Sequence, residues 1–303
     1  MPTISNAANT VTFEYGYLIN GNICVDNCIA NESVVIIPSN IDGHPVTSLA
    51  NNFLANTSGI HTVIIPDSVK SIGDYAFCGC RDLENIEISK NLKEIPMGFC
   101  QKTKLASVKI PDSVTVINPS AFCSCFALSN IETGENLREI LCDAFSACNF
   151  KNFHIGPRVE NIIFSVGFLA ANFYLESITV DENNQYFRDI DGILFSKDCS
   201  SLIRYPEGKK DENYKVPIFV ERIRSGAFFG TKLSSIEIHK KVKHIVSNAF
   251  NARGNTNLKI QCKKGSYAES FAKGSLLPVE YCESKLDKFI NTQNESKGRD
   301  FNG

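Results

Sequence analysis

Residues 65–87 read IPDSVKSIGDYAFCGCRDLENIE, and residues 110–132 read IPDSVTVINPSAFCSCFALSNIE. The two 23-residue segments superimpose without a gap and are identical at 14 positions, so the chain is read first as a repeat. Working outward, ISKNLKEIPMGFCQKTKLASVK lies between them with 22 residues. TGENLREILCDAFSACNFKNFH follows from Thr133 with 22, and IGPRVENIIFSVGFLAANFYLESIT from Ile155 with 25. After a break, residues 216–237 and 238–261 continue the series, and residues 34–64 are a longer, degenerate copy. Eight copies result.

Each copy carries one apolar skeleton. A Leu is followed by apolar residues three and five later, as in Leu83, Ile86, Ile88 and Leu105, Val108, Ile110. Then come Val and Ile three apart (Val69 and Ile72, Val114 and Ile117), and an Ala-Phe pair (Ala76-Phe77, Ala121-Phe122, Ala144-Phe145, Ala227-Phe228, Ala249-Phe250). The apolar-x-apolar step is strand-like. A period of 20–29 residues with an LxxIxI core is that of a leucine-rich repeat. One such turn cannot bury its own apolar side, but stacked turns bury it against each other, with short parallel strands at ~4.8 Å spacing. A column of Phe rings should fill the interior. The expected fold is a right-handed, curved leucine-rich repeat solenoid, β-rich or α/β, with a parallel sheet on its concave face.

Composition agrees. The chain has 303 residues, 43% apolar and 21% charged, an ordinary globular mix. Lys and Arg number 31 against 33 Asp and Glu, which argues against a generally basic nucleic-acid binder, though not against a local patch. No stretch of about 18 apolar residues occurs, so no membrane insertion is expected. MPTISNAANTVTFEYGYLIN lacks a positive start and an apolar h-region, so it is not read as a secretory leader.

The repeats resemble the BspA-like, or Treponema-type, leucine-rich repeat family, whose pattern IPxSVxxIGxxAFxxCxxLxxI matches residues 65–88 and 110–131 almost position by position. IPSNIDGHPVTSL (37–49) resembles the family's opening repeat, DENNQYFRDIDGILFSKDCSSLIRYPEG (181–208) its inserted hairpin, and KKGSYAESFAKG (263–274) its closing segment. The family's Cys, three residues before the repeat Leu, is Cys80 and Cys125; Cys148 keeps the place in the 133–154 copy, ahead of Phe150, and Thr103, Ala170 and Gly230 stand near it elsewhere. Irregular curvature is expected between residues 155 and 173, where the apolar series weakens. The resemblance implies a surface-exposed or secreted binding protein, commonly an adhesin for host or neighbouring-cell proteins. An intracellular recognition or effector protein, and a self-associating surface protein, are the rival readings.

The expected division is an N-terminal hairpin cap over 1–33, with turn signals at Ile19-Asn20-Gly21-Asn22, then repeats over 34–179. An inserted β-hairpin over 180–215 and repeats over 216–262 follow. A C-terminal cap over 263–283 has Ser266 as helix N-cap, and 284–303 form a loose tail.

Cys78-Gly-Cys80 and Cys123-Ser-Cys125 invite a zinc reading, but 45 residues separate them. That is two turns, roughly 10 Å at ~4.8 Å per turn, too far for Zn–S bonds of ~2.3 Å. No metal and no cofactor is expected. Cys78, Cys100 and Cys123 follow the repeat Phe in three consecutive turns and would form a thiol column; under oxidation a 78–100 or 100–123 bridge would lie within reach. None of His44, His61, His154, His239 and His244 lies in an HExxH helix, and there is no GxSxG, GxGxxG or GxxxxGK[ST]. The chain is read as a non-enzymatic module that binds another protein.

In an LxxIxI strand the residues between the apolar positions point outward. They form a polar stripe on the concave face: Asn85, Glu87, Ser107, Lys109, Asn130, Glu132, Asn152, His154, Ser177, Thr179 and Glu237. The stripe has no aromatic residue, whereas interface energy concentrates in Tyr, Trp and Arg. The aromatic-rich alternative is the insert, with Tyr186, Phe187, Phe195, Tyr205, Arg188 and Arg204; its aromatics are read as packing on the repeat stack.

Overall fold

The computed structural model describes residues 1–163, 171–250 and 258–282. The repeats coil into a β-solenoid of about 11 turns with almost no helix. The LxxIxI step makes the longer strand of each turn. Thr62–Ile64, Asn85–Glu87, Ser107–Lys109, Asn130–Glu132, Asn152–Ile155 and Ser177–Val180 follow one another up the long face. Pairing is parallel and in repeat register: Val108 faces Ile131, Phe153 faces Ile178 and Ile236 faces Ile260. Three strands extend the long face beyond those that close the eight copies: Val34–Ile36, Asn213–Lys215 and Val279–Tyr281.

The Val-x-x-Ile step makes a second parallel ladder that the sequence reading did not anticipate. Its strands are two residues long in most turns, as in Glu94–Ile95, Val116–Ile117, Glu139–Ile140 and Asn161–Ile162. Two residues with one side chain inward give no alternation to detect, which is why the pattern was silent.

The Ala-Phe corner forms a third series of bonds between turns. Tyr75, Phe77 and Gly79 donate their backbone N–H groups to Met97, Phe99 and Gln101 at 2.7, 2.9 and 2.7 Å. To do so the corner enters the left-handed region twice per turn, four residues apart: Asn52 and Asn56, Tyr75 and Gly79, Gly98 and Lys102, Ser120 and Ser124, Asp143 and Ala147. Gly98 is required at its site, because a Cβ there would stand 2.2 Å from the Tyr75 ring.

This register corrects the reading of one copy. Phe77 N–H bonds Phe99 O and Cys100 N–H bonds Ala121 O, so Phe99 stands in the Ala slot and Cys100 in the Phe slot. Phe53-Leu54 shows the same exchange, with Leu54 N–H on Ala76 O. In Phe99-Cys100 large and small residues trade places with little change in the pair's summed volume, whereas Phe53-Leu54 near the N-terminal end carries a larger second residue. The ring column therefore continues: Phe53, Phe77, Phe99, Phe122 and Phe145 lie 6.0, 5.3, 6.1 and 5.5 Å apart in succession. Cys100 accordingly is buried while Cys78 and Cys123 are partly exposed, so the expected thiol column does not form; Gln101 stands between them.

The repeat Cys has a defined task. Cys80, Cys125 and Cys148 donate their thiols to the carbonyls of Leu54, Cys100 and Phe122 in the preceding turn at 2.9, 3.0 and 3.3 Å. Asn172 Nδ2 does the same to Phe145 O at 2.9 Å. Thr103 and Thr231, the latter rather than Gly230, stand at this position in their turns but donate within the turn, to Cys100 O at 2.9 Å and Phe228 O at 3.2 Å; Ala170 lies outside the described residues. Burial pushes the Cys80 thiol up to about 11 and the Cys100 and Cys148 thiols well above their ordinary value. All twelve cysteines are free thiols. Residues 164–170 of the 155–173 segment, where irregular curvature was expected, and all of 284–303 lie outside the described residues.

At the N-terminal end Val11–Tyr17 and Ile23–Ala30 form an antiparallel pair, and the latter lies parallel to His44–Leu49 of the short ladder. At the other end Ser266 Oγ accepts the Glu269 N–H at 3.3 Å and starts the helix Tyr267–Gly274. The insertion is a three-strand meander. Phe187–Ile190 and Ile193–Ser196 pair antiparallel, and Ser201–Arg204 turns back to lie parallel to Arg222–Ile223, restarting the short ladder.

Candidate functional site

The long face positions the polar stripe through its parallel register. Asn85 follows Thr62, Ser107 faces Asn130, Lys109 faces Glu132, Asn152 faces Ser177, and His154 faces Thr179. Asn85, Glu87, Ser107, Lys109, Asn130, Glu132, Asn152, His154 and Thr179 are exposed. Lys109 Nζ lies 3.5 Å from Glu132 Oε2, and His154 Nδ1 lies 3.0 Å from Thr179 Oγ1. Such exposed pairs add little stability, about 0–1 kcal/mol, so their side chains can be re-paired by a partner at small cost.

Two stripe residues are partly covered. Ser177 is half-buried because the Asp191-Gly192 turn of the meander sits on it; a Cβ on Gly192 would meet Ser177 Oγ at 2.6 Å. Glu237 is half-buried and holds Lys215 Nζ at 2.7 Å. That hydrogen bond shifts the Lys215 ammonium upward from its ordinary value.

Asn213 and Lys215 belong to the same face and were missed, because the insertion separates them from the repeat Leu. A signal was present: NYKVP over 213–217 repeats SVKIP over 107–111. Val34, Ile36 and Ile64 give the N-terminal end of the face an apolar start, with Ile36 61% exposed.

In the insertion, Phe187, Phe195, Tyr205 and Arg204 are buried, whereas Tyr186 and Arg188 are exposed. Arg204 donates through Nη1 to Gly226 O at 2.6 Å and pairs through Nη2 with Glu207 Oε1 at 2.5 Å. The Ala171 N–H also donates to Glu207 Oε1, at 3.1 Å. Burial pushes the Glu207 carboxyl up to about 7 against the opposing pull of Arg204. This pair is a packing element between turns, sealed from solvent.

Tyr281 on the last strand of the long face is 47% exposed, and beside the stripe Phe173 and Tyr174 reach the surface, 57% and 69% exposed. The latter two line an open groove of about 490 Å³ with Glu176, Lys210, Glu212 and Lys232. Glu176 and Glu212 directly precede the strands Ser177–Val180 and Asn213–Lys215, so the groove opens beside the stripe. Nothing in the sequence period marked these rings, since they fall in the corner of a copy whose preceding residues depart from the pattern.

Residues 47–168 and 207–289 match the family model for the BspA type leucine-rich repeat region, in six copies. Among solved structures, the chain is similar to a leucine-rich cell surface protein of Faecalibacterium prausnitzii A2-165, with 20% identity, TM-score 0.62, and 95% of this chain and 96% of that chain covered. It is also similar to the pneumococcal vaccine antigen PcpA, with 17% identity, TM-score 0.62, and 93% and 99% covered. At these identities the likeness is one of fold. No curated protein sequence matches the chain. No helix among the described residues is long and apolar enough to cross a membrane.

Proposed function

The chain belongs to the BspA-type leucine-rich repeat family, and from that premise we propose that it is a non-enzymatic recognition module that binds another protein at a bacterial cell surface. The observation that carries the reading is the long face itself: outward polar side chains recur in register within three parallel groups, Thr62 with Asn85, Ser107 with Asn130, and Asn152 with Ser177, and most of them are exposed and held only by weak cross-strand pairs. The apolar anchor that such an interface needs is supplied beside it by Phe173 and Tyr174. The surface setting is supported by the description of a similar structure as a cell surface protein.

The test is a capture from extracellular host or neighbouring-cell proteins, with the bound protein identified and its affinity measured. Charge reversal of Glu87, Lys109 and Glu132 together should weaken binding at least tenfold while leaving the melting temperature within ~2 °C. Unchanged affinity would move the site off this face. Light scattering over a concentration series separates the rival reading, self-association, which requires mass to rise with concentration.

A further inference from the structure

Charge is distributed unevenly along the stack. Residues 213–264 hold eleven Lys and Arg against two Glu, whereas the rest of the chain holds 20 against 31. Three consecutive turns collect much of this excess on one edge, where the long strand bends toward the short one. In earlier turns this corner carries Asp67 and Asp112, whose carboxylates accept the backbone N–H groups of Lys90 and Glu135 in the next turn at 2.9 and 3.1 Å. The pairing of Ile238 with Cys262 places Lys240 and Lys264 at the same slot. Both are exposed, as are their neighbours Lys241 and Lys263. Asp67, Lys90, Asp112 and Glu135 occupy this slot in successive earlier turns, so the fold accepts either sign there and does not dictate the lysines.

The short ladder continues the charge. Arg222 faces His244 in register, Arg224 follows, and with Lys243 they line an open groove of about 340 Å³. Glu221 is the one carboxylate in the groove, and it holds Lys243 at 3.1 Å. Arg222, Arg224, Lys240, Lys241, Lys263 and Lys264 make no ion pair among the described residues.

We propose that this edge binds a sulfated polysaccharide. Lys240 and Lys264 recur at one slot of successive turns, at the ~4.8 Å spacing of the ladder, and with Lys241, Lys263, Arg222 and Arg224 they present unpaired charge from three turns to a flexible linear polyanion. Single-stranded nucleic acid needs free aromatic faces for its bases. The rings at this edge are Phe219, packed on Phe195 at 6.1 Å, and Tyr267, stacked on His244 at 6.5 Å. A duplex longer than the edge would run on over the acidic remainder of the chain.

The test uses the full 303-residue chain and heparin as probe. Binding is expected at 50 mM salt and should weaken at least ~10-fold by 200 mM, as ion release requires. K240E/K241E/K263E/K264E should lose at least tenfold affinity. K70E/R81E/K93E/K102E makes the same change in net charge on the acidic part of the stack and should change affinity less than twofold. Circular dichroism and melting curves establish that both variants fold. No binding at 50 mM salt, or equal losses in the two variants, would overturn the proposal. So would equal affinity for a single-stranded oligonucleotide or for phosphatidylserine vesicles, which would make the edge a general anion surface. The edge is distinct from the long face, so its failure leaves the reading of that face unaffected.

Discussion

Glu207 has no exposed side-chain surface, and its Oε2 is without a hydrogen-bond partner among the described residues. Its carboxyl stands at about 7 in the folded chain, against 4.5 for the ordinary group, because burial outweighs Arg204. Between those values the folded state holds more proton than the unfolded one, so this residue makes stability fall as pH rises. The penalty is absent below about 4.5 and complete above about 7, on the order of 3 kcal/mol at most. Removing only one partner would strand the other charge in the interior and obscure this slope. The comparison is therefore with the double variant Arg204→Met/Glu207→Gln. Urea midpoints at pH 5 and pH 8 should show the wild type losing stability relative to that variant as pH rises. A flat difference, or one of opposite sign, would show that Arg204 keeps the carboxylate charged throughout.

Within each turn, the Ala-Phe corner is the element whose rules were least visible. The repeat, its strands and the inward Leu, Ile and Val positions were legible because period and alternation report burial directly: Leu83, Leu105 and Leu128 are all fully buried. The outward stripe followed from the same alternation. The slot of Cys100 was not legible, since only the inter-turn hydrogen bonds reveal that Phe99-Cys100 is shifted by one against Ala76-Phe77. Phe173 and Tyr174 were illegible for a related reason: the two residues between the Cys slot and the repeat Leu vary freely from turn to turn, as Arg81-Asp82 and Phe126-Ala127 do. The slot exchange makes a prediction. Phe99→Ala alone removes a fully buried ring that touches Phe77 and Phe122, and should cost about 3–5 kcal/mol. Phe99→Ala/Cys100→Phe restores the ordinary Ala-Phe order, as in the neighbouring Phe122–Phe145 contact at 5.5 Å, and should recover most of that loss. Denaturant midpoints measure both. A double variant as unstable as the single one would mean that the exchanged order is required by the turns on either side.

Among the described residues the apolar interior forms two cores, and the meander is the wall between them. Along Ile193–Ser196 the side chains alternate: Leu194 enters the N-terminal core, while Ile193 and Phe195 enter the C-terminal one. Along Ser201–Arg204, Ile203 faces the first core and Leu202 the second. Period two, which elsewhere separates core from solvent, here separates core from core. A stack of turns is stabilised by nearest-neighbour terms, so damage to one side of the wall should spread along that side first. Leu202→Ala, at a fully buried site, should cost about 2–5 kcal/mol and raise amide exchange in the turns of 216–250 well before those of 65–150. Ile203→Ala should do the reverse. Exchange that rises equally on both sides in either variant would mean that the wall couples the two cores into one cooperative unit, and the solenoid would then open as a whole rather than from the side that was weakened.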